Sequence, residues 1–251
     1  MQKKDLGLTK NYISPTEQRI FQLFSESKKI HTPEEIRSMF PGKKINQALS
    51  SLAKKQYILR LKRSHYVSKE AFLESPYKIA SNLEGGVLCF MSALKMHGLI
   101  DYEPNVIFLM ADSSYTIKVL NHTIRYMKLK HRTGIEEKEG VFLTSIEKTI
   151  VDCIARPEFA GGYLNIINSV RYGEIRWEEL LSHIERYGKS SIYQKMGYLM
   201  SRIGRKMPLY FEKRLKSKVK NNVRMLSNQS LPYKYNREWR IMDNLGEQEW
   251  S

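Results

Sequence analysis

Residues 43–68 read KKINQALSSLAKKQYILRLKRSHYVS, and this stretch decides the fold of the N-terminal third. Stepping along it at about 100° per residue puts Ile45, Ala48, Leu49 and Leu52 on one face of a helix predicted over Lys43–Gln56. Lys43, Gln47, Ser50 and Lys54 fall on the opposite face, flanked by Asn46 and Ser51. That outer face is polar and basic and holds no acidic residue, whereas an ordinary solvated face mixes both signs. Two short alternating runs follow, Tyr57–Leu61 and Tyr66–Ser68, on either side of the basic turn Lys62-Arg63-Ser64-His65. Alternation broken by a polar turn predicts a β-hairpin.

Upstream lie two helix starts. Ser14-Pro15 with Glu17, and Thr32-Pro33 with Glu35, each combine a capping hydroxyl, a proline at the first helical position and a glutamate that closes a capping box. The first predicted helix, about Ser14–Ser25, carries Ile20, Leu23 and Phe24 on its apolar stripe. The second is short, with Ile36, Met39 and Phe40, and ends at Pro41-Gly42. Three helices followed by a basic hairpin is the order of a winged helix-turn-helix, whose recognition helix enters the major groove of DNA. The expected DNA contacts are Lys43, Lys44, Asn46, Gln47, Ser50, Ser51 and Lys54 on the third helix. In the wing they are Arg60, Lys62, Arg63 and His65. Amides and hydroxyls read base edges, while cations hold phosphates.

The charge distribution agrees. The 251 residues carry a net charge of +16. Residues 1–75 hold 15 Lys and Arg against 7 Asp and Glu, and residues 201–251 hold 12 against 5, so the two ends contribute +8 and +7. The middle is nearly neutral. A basic excess gathered at two places points to a polyanionic partner rather than to general solubility. Cys89 and Cys153 lie far apart in apolar surroundings, which predicts reduced core cysteines and no disulfide. No apolar leader or membrane-length apolar run is present, so a cytoplasmic location is expected.

Ser75-Pro76 is read as the boundary between a first domain, residues 1–75, and a second, residues 76–251. The fold class expected is α+β: the winged helix-turn-helix, then a mixed α/β domain that ends in a helical segment. Its predicted strands are Val106–Met110, Thr116–Leu120, Thr123–Leu129 and Val141–Thr144. Helices are predicted at Tyr77–Asn82, Phe90–His97, from Ser145 to Ala155, and at Tyr163–Tyr172, Trp177–Tyr187, Ile192–Ile203 and Tyr210–Asn222. The last of these carries Lys213, Arg214, Lys216, Lys218 and Lys220, read either as a solvated face or as a second nucleic-acid or partner surface.

Three segments carry a family resemblance: Ser92-Ala93-Leu94-Lys95-Met96-His97-Gly98-Leu99, Thr144-Ser145-Ile146-Glu147-Lys148-Thr149-Ile150-Val151-Asp152, and Arg156-Pro157-Glu158 leading to Gly161-Gly162. In this order and spacing they resemble the AbiEi family, the antitoxins of abortive-infection toxin–antitoxin systems. Lys148 departs from the arginine usual there. The resemblance implies a regulator that binds operator inverted repeats on double-stranded DNA, as a homodimer in such regulators, and represses its own operon. It also implies a cognate nucleotidyltransferase-like toxin as partner. The alternative is a protein-interaction module that neutralises a partner toxin without specific DNA binding.

No catalytic constellation is evident. The six histidines lack metal-ligand spacing, and His97 is read as a capping or core residue. Glu147 and Asp152 lie five apart and do not share a helix face, while Asp152 can pair with Lys148 at i,i+4. The glycine pairs lack the context of a phosphate loop, and no aromatic series shows the spacing of a stacking platform. No enzyme, cofactor or metal is expected.

Overall fold

The computed structural model describes residues 12–41, 44–225 and 232–250. The fold is α+β, and the chain divides into two compact units. One comprises residues up to Leu83 with Ile117–Leu120, and the other Glu84–Thr116 with residues from Asn121 onward.

The first unit begins with α1 (Pro15–Ser27), α2 (Pro33–Met39) and α3 (Ile45–Lys54). Both predicted capping boxes form: Ser14 and Glu17 exchange hydrogen bonds at α1, as do Thr32 and Glu35 at α2. The strands β1 (Ile58–Lys62) and β2 (His65–Ser68) then pair antiparallel, with an irregularity between Arg60 and Lys62. Two helices close this stretch, α4 (Lys69–Glu74) and α5 (Pro76–Glu84). Its core is Ile20, Phe24, Ile36, Ile45, Ala48, Leu49, Leu52, Ile58 and Tyr66, which includes all four inward residues predicted for the third helix. Sequence periodicity did not single out α4, whose six residues are capped by Ser68 accepting from the Ala71 amide.

The remaining elements run β3 (Val87–Leu88), α6 (Phe90–Met96), β4 (Val106–Met110), β5 (Tyr115–Val119), β6 (His122–Met127), β7 (Ile135–Lys138), β8 (Val141–Thr144) and α7 (Ile146–Ala155). After a 3-10 turn come α8 (Tyr163–Tyr172), α9 (Trp177–Tyr187), α10 (Ser190–Arg202) and α11 (Leu209–Lys216). The chain continues through β9 (Val223–Met225), β10 (Lys234–Asn236), β11 (Ile241–Asp243) and α12 (Glu247–Trp250). A mixed six-stranded sheet runs in the order β5-β6-β4-β3-β8-β7. Its β4 is the apolar run Val-Ile-Phe-Leu-Met, buried nearly throughout, as a strand covered on both sides requires. A second sheet of three strands has the order β10-β11-β9.

One expectation needs correction. The basic helix predicted over Tyr210–Asn222 stops at Lys216. The amides of Lys218 and Val219 turn back three residues, to the carbonyls of Leu215 and Lys216, so the ladder tightens and ends there. Lys218 and Lys220 therefore lie beyond the helix. The short strand β7 and the two-residue β3 also escaped prediction, because so few residues show no period. Among the described residues no helix is long and apolar enough to cross a membrane.

The helix α10 meets the three-stranded sheet at Trp239, the largest fully buried side chain. The indole Nε1 donates to Ser201 Oγ at 3.0 Å, and the Trp239 carbonyl accepts from Gln194 Nε2 at 2.9 Å. The ring packs against Gly197, where an added Cβ would overlap its six-membered ring. Replacing a helical glycine with alanine ordinarily stabilises by about 0.5–1 kcal/mol. Here the clash reverses the sign, and Gly197→Ala should cost about 3 kcal/mol through forced displacement of a packed ring. Thermal denaturation followed by circular dichroism measures it; a midpoint equal to or above that of the parent protein would refute the contact.

Candidate nucleic-acid interface

The face expected to contact DNA is built by α3 and the β1–β2 hairpin. Burial of Ile45, Ala48, Leu49 and Leu52 turns Asn46, Gln47, Ser50 and Lys54 to solvent, together with Lys44 at the helix start. Asn46 Oδ1 lies 3.4 Å from the Arg37 guanidinium, and Gln47 and Lys44 border an open groove of about 590 Å³ shared with the start of α1. Ser51 behaves differently. It is half-buried, and its hydroxyl is turned to the Glu17 carboxylate rather than outward. Lys43 lies outside the described residues.

Glu17 is what sets α3 against α1. Its carboxylate accepts from the Ser14 amide at 2.7 Å and from Lys55 Nζ at 3.1 Å, and Lys55 Nζ also reaches the Tyr12 carbonyl at 2.6 Å. One side chain thus closes the cap of α1 and ties it to the end of α3.

In the hairpin, Arg60 and Arg63 are exposed, and the Arg60 guanidinium sits 6.0 Å from the centre of the Tyr66 ring. Lys62 and His65 are half-buried, and His65 Nδ1 lies 3.0 Å from the Arg63 carbonyl. Ser64 at the tip takes φ 61°, the left-handed conformation that closes the tight turn. The sequence reading missed how the hairpin is anchored. The buried His31, in the link between α1 and α2, pairs with Tyr66 through both backbone bonds, at 2.8 and 3.0 Å. Its ring is held by Ser27 Oγ at 2.7 Å and packs edge-on to Phe24. A single bridging residue leaves no periodic trace in the sequence.

The second basic set is divided by the structure. Arg214 Nε pairs with Glu185 at 2.7 Å, and Lys216 lies between Glu212 and Glu238, at 2.7 and 2.8 Å. Lys213 is exposed, while Lys218 and Lys220 border a pocket of about 430 Å³ with Arg214 and Ser190. The five cations therefore do not form one uninterrupted basic helix face.

The segment Thr144–Asp152 forms the end of β8 and most of α7, and its charged residues are buried. Lys148 pairs with Asp152 as the i,i+4 spacing suggests, and Asp152 also accepts from Tyr187 Oη at 2.5 Å. Glu147 accepts from Arg176 through its backbone N–H, Nε and Nη2. Burial raises the Glu147 carboxyl, but these hydrogen bonds outweigh it and hold the group below its ordinary value. His97 caps α6, with Nε2 2.8 Å from the Thr144 carbonyl. Both cysteines are buried and free. Among the described residues no group of three or more potential ligands could hold a metal ion.

No protein-family model matches the chain, and neither does any curated protein sequence. Among solved structures, the crystal structure of the RV2827C protein from Mycobacterium tuberculosis is similar, with a TM-score of 0.70. The match covers 95% of this chain and 94% of that one at 15% identity. The likeness is therefore one of fold, extending over both units.

The Glu17 contacts carry a pH signature. Burial alone would raise its carboxyl, but hydrogen bonds from Ser51, Ser14 and Lys55 hold it at about 2, below the ordinary 4.5. A depressed carboxyl contributes stability in full above its unfolded value, and that contribution is lost as pH falls through the folded one. The parent protein should therefore lose stability between pH 4.5 and 2 more steeply than Glu17→Gln does. Denaturant unfolding across that window tests this, and parallel profiles for the two proteins would contradict it.

Proposed function

We propose that the first unit is a winged helix-turn-helix, with α2 and α3 as the helix-turn-helix and the β1–β2 hairpin as the wing. In this reading the chain is a DNA-binding regulator without catalytic activity of its own. The observation that carries it is the outward face of α3. Asn46, Gln47, Ser50 and Lys54 are all exposed, no acidic residue interrupts them, and the exposed Arg60 and Arg63 of the adjoining hairpin extend the same charge. Gln47 and Asn46 offer the bidentate amides that suit adenine edges. Ser50 reads either partner of a base pair, and the cations neutralise phosphates.

The antitoxin role is proposed on the segments of α6 and α7 that resemble the AbiEi family. It supplies the biological setting: repression of the chain's own operon from inverted repeats, and opposition to a nucleotidyltransferase-like toxin. Growth rescue on co-expression with such a toxin encoded beside this chain supports that half, and undiminished toxicity rejects it.

Fluorescence anisotropy with duplex DNA from its own promoter tests the DNA half. Gln47→Ala with Ser50→Ala should cost about tenfold or more in affinity for the operator, with little change on unrelated duplex. Lys54→Ala should weaken all sequences alike and reduce the slope of log affinity against log salt by about one. Operator preference surviving the double substitution would show that α3 does not read bases.

A further inference from the structure

Nearly half of the basic excess lies in residues 201–251, and α11 accounts for only part of it. Of the other cations, Arg224 and Lys234 lie on the three-stranded sheet, and Arg237 and Arg240 in the turn that joins β10 to β11. Cross-strand register sets Tyr235 of β10, Met242 of β11 and Arg224 of β9 side by side. Residues of the opposite parity, Met225, Ile241 and Asp243, are buried. Because successive side chains alternate across a strand, the Tyr235–Met242–Arg224 row faces outward.

Two tyrosines stand exposed there, Tyr233 at 44% and Tyr235 at 50%. Each is coupled to an arginine. The Arg224 guanidinium lies 5.9 Å from the centre of the Tyr233 ring. Asn222 Oδ1 accepts from Tyr235 Oη at 3.1 Å and from Arg240 Nε at 3.3 Å, which joins the second arginine to the second tyrosine. Nearby carboxylates are spent elsewhere: Glu238 on Lys216, Glu247 on Lys234 and Arg202, and the buried Asp243 on Arg202. Among the described residues no acid pairs with Arg224 or Arg240. The face thus presents open aromatic rings beside uncompensated cations.

Aromatic rings with adjacent cations suit unpaired nucleotides. Every base has a π-face to stack, and every nucleotide brings a phosphate. Tyr235 lies on β10 and Tyr233 immediately before its first residue; along an extended chain, residues two apart stand about 7 Å from one another, which leaves room for a base on each ring. A duplex buries its base faces and offers no such contact. We propose that the outward face of the β10–β11–β9 sheet binds single-stranded nucleic acid, with bases on Tyr233 and Tyr235 and phosphates on Arg224 and Arg240. The chain order hides this platform, because three strands and a two-residue spacing assemble it. The site belongs to the second unit and α3 to the first, so it stands or falls independently of operator binding.

The test uses the full chain and three fluorescent probes, an oligouridylate and an oligothymidylate of about 12 nucleotides and a duplex of matching length. Tyr233→Ala with Tyr235→Ala should weaken both single strands about tenfold or more and leave duplex affinity within about twofold. Phenylalanine at both positions keeps the rings and should restore binding. Arg224→Ala with Arg240→Ala should flatten the salt dependence by about two phosphates. Both tyrosines are exposed, so the thermal midpoint should not move, which separates lost binding from lost folding. Tighter binding of the uridylate names RNA as the ligand, and tighter binding of the thymidylate names DNA; either supports the proposal. Absence of single-strand binding at about 50 mM salt, unchanged binding by the alanine pair, or an equal loss on duplex would each overturn it.

Discussion

A lysine ammonium held out of water is costly unless a carboxylate is buried with it, and α7 meets that condition at Lys148 and Asp152. Eight of its ten residues are buried, three of them charged, so the helix cannot be placed by hydrophobicity alone. Each charge requires a fixed donor or acceptor, and α9 with the residue before it supplies both. Tyr187 donates a second hydrogen bond to the Asp152 oxygen that Lys148 meets, from the far end of α9, and Arg176 clamps Glu147 just before its start. Two polar anchors about one helix length apart fix both the position and the rotation of α9 against α7, which apolar contacts alone would leave freer to slide. The core around them, from α6 through α10, inherits that register.

What could be read from the sequence followed from whether a local pattern existed. Capping boxes at Ser14 and Thr32, the inward stripe of α3 and the two strands of the hairpin each occupy a few consecutive residues, and all are present. The i,i+4 pairing of Lys148 with Asp152 was legible for the same reason. Its partner Tyr187 was not, being 35 residues away with no spacing rule to connect them. Ser51 shows a subtler failure. Helical geometry put it at the flank of the polar face, and only the position of Glu17 on another helix decides that its hydroxyl turns inward. The basic run after Lys216 was overextended because charge repeats continue past the point where backbone bonding changes.

The two basic ends are built on different principles. On α3, cations and amides project from a rigid helix whose other side is core, an arrangement suited to a groove of regular shape. On the three-stranded sheet, arginines accompany exposed tyrosine rings. Between them the near-neutral middle spends its charges internally, as the Glu147–Arg176 and Lys148–Asp152 pairs illustrate.

The contact of Gly197 with Trp239 reaches beyond this one chain. A ring seated directly on a helix backbone makes the two positions a single unit of volume, though 42 residues separate them. Any lineage that enlarges the first must shrink the second in the same step or lose the seat of α10. Correlated exchange at these two sites, large for small and small for large, is thus the trace this architecture should leave among its descendants.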